Sequence, residues 1–262
     1  MAHSVVRGLS FYYVEAGEGR PLVLLHPAPF DHRVWLYQLL PLSGDFRVIA
    51  IDQRCFGRSS KPETPFSMAA YAEDLAGILD GLGIEAIDVI GLSLGGIVAQ
   101  LLALDYPKRV RRMVLVSTTA STVRARYLRD RMQGFQSQGI AAYCREAIET
   151  FFRPEFRASA LGQSLIESFA GHTPWLTLPS LIRFYEALSD VDITSRLQDI
   201  RVPALVVVGS EDFTLDQSQQ LAAGIPGAKL AVIPETGRCV PVEAPGQFNR
   251  LVKEFLLEGG SR

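Results

Sequence analysis

Six short apolar runs punctuate this chain: PLVLLHPAP (21–29), FRVIAID (46–52), AIDVIGLS (86–93), RMVLVST (112–118), PALVVVGSED (203–212) and KLAVIPE (229–235). None of them alternates apolar with polar residues. A strand that is apolar on both faces has to be covered on both faces, which is the condition of a parallel sheet sandwiched between helices. The stretches between them supply such helices: MAAYAEDLAGILDGLG (68–83), IVAQLLALDY (97–106) and, near the end, GQFNRLVKEFLLEG (246–259) are amphipathic. The fold class expected is therefore α/β, a mostly parallel sheet with helices on both faces. The opening VVRGLSFYYVEAGEG (5–19) reads as an antiparallel hairpin at one edge.

The strand–helix rhythm breaks between Thr119 and Leu197. That stretch offers helical patterns instead, RARYLRDRMQGF (124–135), AAYCREAIETFF (141–152) and PSLIRFYEALSD (179–190), and it is rich in Phe, Tyr and Trp. A helical insertion between two strands of an open sheet lies over the strand C-termini, where such sheets bind ligands. The chain is thus divided into a core, 1–118 and 197–262, and a helical cap, 119–196. Trp175, Phe152 and Phe184 are the cap aromatics expected to line a substrate pocket; the alternative is that they only staple the cap to the body.

At 262 residues the chain can bury one large core. Its 26 basic and 28 acidic residues leave a net charge of −2, so it lacks the electrostatic footprint of a protein that binds nucleic acid or a membrane surface. Three scattered cysteines without a CxxC pair suggest neither a disulfide scaffold nor a thiolate metal site. No charged segment followed by an apolar run opens the chain, and no apolar run approaches the roughly 20 residues of a membrane span. The expectation is a cytoplasmic protein with a small-molecule partner, no nucleic acid, no membrane, no metal and no organic cofactor. Oligomeric state leaves no trace in the sequence.

The sharpest local signal is Gly91-Leu92-Ser93-Leu94-Gly95-Gly96, set between a buried strand and a helix. A serine flanked by glycines two residues away on each side fits a tight strand-to-helix turn that lifts its hydroxyl above the sheet. The turn also leaves backbone N–H groups at the helix N-terminus to meet a developing oxyanion. The glycine spacing fits neither a dinucleotide fingerprint nor a phosphate-binding loop.

With this turn go His26-Pro27-Ala28-Pro29, Asp52-Gln53-Arg54-Cys55-Phe56-Gly57-Arg58-Ser59, Gly209-Ser210-Glu211-Asp212, and Gly237-Arg238-Cys239 followed by Glu243-Ala244-Pro245. Over essentially its whole length the chain resembles the α/β-hydrolase superfamily, in the capped branch of esterases, enol-lactonases and meta-cleavage-product hydrolases. The resemblance implies that Ser93 is the nucleophile and Asp212 the triad acid. It also implies that the backbone N–H groups of Leu94 and Ala28 form the oxyanion hole, since the prolines beside Ala28 have no N–H to offer.

One position departs from the pattern. Aligned without a gap, the family's triad histidine falls on Arg238. A guanidinium cannot accept a proton from serine, but it can pair bidentately with a carboxylate, here Asp212. Four histidines remain: His3 near the terminus, His26 in the oxyanion loop, His32 at a helix start, and His172 in the cap. His26 reads as a structural residue and His32 as an exposed first-turn residue, while His172 is the best substitute base. The basic stretch from Arg109 to Arg131 reads as a solvated face, with attraction of an anionic substrate as its alternative. Cys55 and Cys239 read as buried, inert thiols.

The function that follows is hydrolysis of a small, mostly apolar carbonyl compound (an ester, a lactone or a C–C bond) by an atypical or impaired triad. Two alternatives stand beside it. One is a non-hydrolytic lyase, cyclase or isomerase in which Arg238 binds an anionic group. The other is a catalytically inactive ligand-binding protein.

Overall fold

The computed structural model describes residues 2–122, 133–135, 137–171 and 173–258. Eight strands form one sheet in the order β1-β2-β4-β3-β5-β6-β7-β8. They are β1 (Ala2–Val6), β2 (Leu9–Ala16), β3 (Pro21–Leu25), β4 (Arg47–Ile51), β5 (Ile87–Leu92), β6 (Val110–Val116), β7 (Ala204–Gly209) and β8 (Lys229–Ile233). The β1–β2 hairpin pairs antiparallel at one edge, β2 joins β4 antiparallel, and every later pairing is parallel.

The central strands are mostly apolar on both faces, apart from Asp88 in β5 and Arg111 and Arg112 in β6, because each face meets its own core. Val23, Leu25, Val89, Met113, Leu115 and Val206 belong to one cluster, with the helices α2 (Ala69–Gly81) and α3 (Leu94–Asp105). Leu22, Leu24, Ile90, Val114, Val116, Leu205 and Val207 belong to the other. That second cluster closes against Val252, Phe255 and Leu256 of the final helix, Pro245–Leu257. Neighbouring residues of one strand thus point to opposite layers. KLAVIPE departs from the uniformly buried pattern read in the sequence. As the far edge of the sheet β8 is open on one side, and Leu230 and Val232 are exposed.

DHRVWLYQLL forms no continuous helix. A 3₁₀ turn over His32–Trp35, with Asp31 as its cap, is followed by a single turn, α1 (Leu39–Leu42). Between β6 and β7 come α4 (Ile140–Glu149), α5 (Pro154–Ala158), α6 (Ala160–Ala170) and α7 (Leu178–Ser189). Residues 123–132, which hold RARYLRDRM, and His172 lie outside the described residues. After β7 come α8 (Leu215–Gly224), the short α9 (Val240–Glu243) and the final helix, α10.

The packing at the strand C-termini is set by two glycines. A Cβ on Gly95 would lie 2.1 Å from the carbonyl oxygen of Leu25, and one on Gly91 2.2 Å from that of Gly95. Strand β3, the turn and α3 therefore close on one another only with glycine there. Gly95→Ala is expected to lower stability by about 1–3 kcal/mol, as overpacking does in a tight core. Exposed Gly44, with no atom in reach of an added Cβ, serves as the control, and Gly44→Ala should stay within about 0.5 kcal/mol of the parent. Urea denaturation checks both; equal midpoints for the two variants would contradict the packing.

Candidate active site

Ser93 sits between β5 and α3 with φ 53° and ψ −109°, a conformation costly for a residue with a Cβ. The strain is held from both sides. Its N–H donates to Val116 O (2.9 Å), and its carbonyl accepts from Gly96 N (2.9 Å) and from Thr118 Oγ1 (2.7 Å). Its hydroxyl opens onto a cavity of about 40 Å³ whose walls include Ala28, Leu94, Ile97, Phe151, Tyr185 and Arg238. The backbone N–H groups of Ala28 and Leu94 make no hydrogen bond among the described residues.

Arg238 is 7% exposed, and its Nη2 donates to Ser93 Oγ at 2.7 Å. The guanidinium lies between the rings of Phe151 and Phe213, 5.1 and 4.7 Å from their centroids. The bidentate pairing with Asp212 expected from the sequence is not formed: Nη1 stands 4.0 Å from Oδ1. Thr214, two residues along, donates its N–H to Asp212 Oδ1 (2.9 Å) and its hydroxyl to Oδ2 (2.8 Å), which fixes the orientation of the carboxylate, while the guanidinium turns to Ser93.

Glu243 braces the Arg238 loop. Its Oε1 accepts from Gly237 N and Arg153 N, both at 3.3 Å, and Oε2 lies 3.6 Å from Arg153 Nε. Cys239 N donates to Phe151 O (2.8 Å), a second tie between this loop and the insertion. Burial pushes the Glu243 carboxyl up to about 7, against the opposing pull of those two N–H groups and Arg153.

The remaining histidines fall where their hydrogen bonds place them. His26 is fully buried; its Nε2 can only accept from Gln53 N (3.0 Å), so Nδ1 carries the proton and donates to Pro27 O (2.9 Å). His32 contacts Asp52 Oδ1 through both its backbone N–H (2.8 Å) and Nδ1 (2.7 Å). It is half-buried rather than exposed, because Tyr12 stands over its ring. Asp31, His32 and Asp52 bring ligand-type atoms within 4.8 Å of one another. Those atoms already hold the loop together, Asp31 through Arg33 and Asp52 through His32 and Arg58 N, so the cluster has a complete structural role.

The three aromatics expected in the pocket are elsewhere. Phe184 packs on Phe56 and Tyr71, Phe152 stacks on Phe156 and Phe169, and Trp175 is 40% exposed with Arg33 and Arg58 over its ring. Their chain neighbours Phe151 and Tyr185 face the cavity instead, with Leu188 and Phe213. Adjacent residues on a helix differ by about 100° in direction, so aromatic content alone could not choose between Phe184 and Tyr185. Thr214 and Glu243 were legible only as a threonine two residues past an acid and as part of the Glu-x-Pro pattern. Arg109, Arg111 and Arg112 anchor the other end of β6, to Asp80, Ala86 O and Phe255 O, away from Ser93. Burial raises the thiols of Cys55, to about 11, and Cys239, as expected of unreactive cysteines.

This fold and this constellation define a hydrolase scaffold. The chain belongs to the α/β-hydrolase family, whose family model (alpha/beta hydrolase fold) matches residues 20–245. It is 33% identical over 228 residues, 85% of each chain, to RutD of Caulobacter sp. (strain K31), a protein named for carbamate hydrolysis. It is 28% identical over 225 residues, 85% of this chain and 83% of that one, to 3-oxoadipate enol-lactonase 2 of Acinetobacter baylyi. Among solved structures it is similar to the enol-lactonase from Burkholderia xenovorans LB400, with a TM-score of 0.92 and 25% identity over 98% of this chain and 100% of that one. No helix among the described residues is long and apolar enough to cross a membrane.

The Glu243 carboxyl gives a signed expectation. Its ordinary value is 4.5 and its folded value about 7, so between them the folded state binds more protons than the unfolded one, and stability falls as pH rises through that window. Glu243→Gln keeps the amide oxygen as acceptor and removes the titration. Urea denaturation from pH 4.5 to 7.5 should show the variant gaining on the parent as pH rises; a constant difference would contradict it.

Proposed function

We propose that this α/β-hydrolase acts on a small, mostly apolar carbonyl compound by ester, lactone or C–C hydrolysis, at the cavity beside Ser93. Ser93 Oγ is the nucleophile. The N–H groups of Ala28 and Leu94 receive the oxyanion, and residues 119–196 form the cap over a core of 1–118 and 197–262. Support for the acyl chemistry comes from the strained turn and the two unengaged N–H donors, and from relatives named for carbamate and enol-lactone hydrolysis. Support for a small substrate comes from the tight cavity.

The observation that carries the reading is the 2.7 Å contact from Arg238 Nη2 to Ser93 Oγ. It places a fixed positive charge on the serine oxygen where a hydrolase of this family holds an imidazole. Such a charge favours an alkoxide once formed and does nothing to remove the proton. None of the described side chains around the cavity is a carboxylate or an imidazole. The proton therefore leaves to water, to hydroxide or to a basic atom of the substrate, and ordinary ester turnover is slow. His172 is the one side chain proposed as a substitute base.

A fluorophosphonate probe followed by intact mass tests this. The unmodified chain should label slowly at Ser93, Ser93→Ala should not label, and Arg238→His should label about 10²–10⁴-fold faster, the contribution of a positioned base. Rapid labelling of the unmodified chain, abolished in His172→Ala, would instead assign the base to His172. Equal labelling of the unmodified chain and Arg238→His, unaffected by His172→Ala, would contradict the role given to position 238.

A further inference from the structure

The described wall of the cavity beside Ser93 carries one cation and no carboxylate or imidazole. Thr118, Thr119 and Thr122 line it, yet their hydroxyl protons are committed to the backbone carbonyls of Ser93, Ser121 and Leu188. Among the described residues, the donors that face an incoming molecule are two backbone N–H groups, the Ser93 hydroxyl and a guanidinium, with the Tyr185 side chain and the threonine oxygens beside them. Of the five N–H donors of Arg238, only one on Nη2 is engaged with a protein acceptor among the described residues, while Nε and Nη1 are buried without a hydrogen-bond partner. The side chain is more than nine-tenths buried. Asp212 lies 4.0 Å behind it with both oxygens already held by Thr214, and Phe151 and Phe213 cover its faces. A buried cation with unmet donors is costly; the rings and the distant Asp212 offset part of that cost, and an anion in the cavity would offset more.

We infer that the Ser93 cavity is a receptor for a small carboxylate, and that the substrate carries a carboxylate next to its reacting carbonyl, as in a 2-oxo acid. The adjacency follows from the geometry. Arg238 touches the same oxygen that meets the carbonyl carbon, so a carboxylate that reaches the guanidinium sits beside that carbonyl and not at the far end of a chain. This inference deepens the proposed function by replacing its mostly apolar carbonyl compound with one that carries a carboxylate beside the carbonyl, and it rests on that reading only for which atom reacts. Anion binding itself needs no turnover.

Calorimetric titration with pyruvate and with its neutral isostere pyruvamide separates the two. Using Ser93→Ala, which forms no covalent adduct, pyruvate should bind at least about tenfold tighter than pyruvamide, consistent with a charge-assisted pair. Arg238→Gln should lose that preference while keeping its far-UV circular dichroism. Equal binding of acid and amide, no binding of pyruvate, or an undiminished preference in folded Arg238→Gln overturns the inference. The acid–amide comparison stands on its own if Arg238→Gln fails to fold. A failure here leaves the Ser93 labelling result untouched, and a failure of labelling leaves the titration untouched.

Discussion

Everything at the functional end of this molecule hangs on how closely three backbones meet at Ser93. Gly91 and Gly95 let the end of β5, the first turn of α3 and the carbonyl of Leu25 approach to distances no Cβ would tolerate. The same closure forces Ser93 into a positive φ and aims its hydroxyl away from the sheet. It leaves the Leu94 N–H at the helix start opposite that of Ala28, both lining one cavity. Thr118, at the end of β6, packs where a Cβ on Gly96 would stand and donates to the Ser93 carbonyl, so the neighbouring strand braces the turn. Sheet, helix and cavity are one construction.

Much of this was legible in the residues. Non-alternating apolar runs gave the two-sided sheet, because only a sheet with a core on each face makes Leu22 and Val23 equally buried. The glycine pattern located the turn, and Asp212 and Arg238, singled out by the order of motifs, lie 4.0 Å apart, with Arg238 against Ser93. The limits were physical too. KLAVIPE looked like an interior strand, yet an edge strand can be as apolar as a central one. The cap aromatics were chosen by type, while the one-residue offset between Phe184 and Tyr185 decides which ring meets the cavity. The Arg238–Asp212 pairing was expected from charge alone. Thr214 fixes the orientation of the carboxylate, and an arrangement of that kind is settled by three-dimensional geometry.

Arg238 changes what such a scaffold offers. An imidazole in that place would be a neutral acceptor at the moment it is needed; a guanidinium is a permanent donor. Phe151 and Phe213 cover the guanidinium, and Glu243 still ties Gly237 to Arg153 at the insertion. The site has two unengaged backbone N–H groups and a guanidinium, and no carboxylate or imidazole among the described side chains of its wall. On the reading proposed, that balance favours substrates that bring negative charge with them, and it makes proton removal from Ser93 the difficult step.

The most direct measurement is the pH dependence of Ser93 acylation by an activated ester, followed as the rate of the first turnover. With no carboxylate or imidazole among the described side chains of the cavity wall, and unless His172 serves as the base, the rate should climb about tenfold per pH unit across the neutral range, tracking the serine alkoxide fraction without a plateau. A sigmoidal profile that levels off near neutral pH would contradict the account, because it would place a working base within reach of Ser93 despite the arginine at position 238.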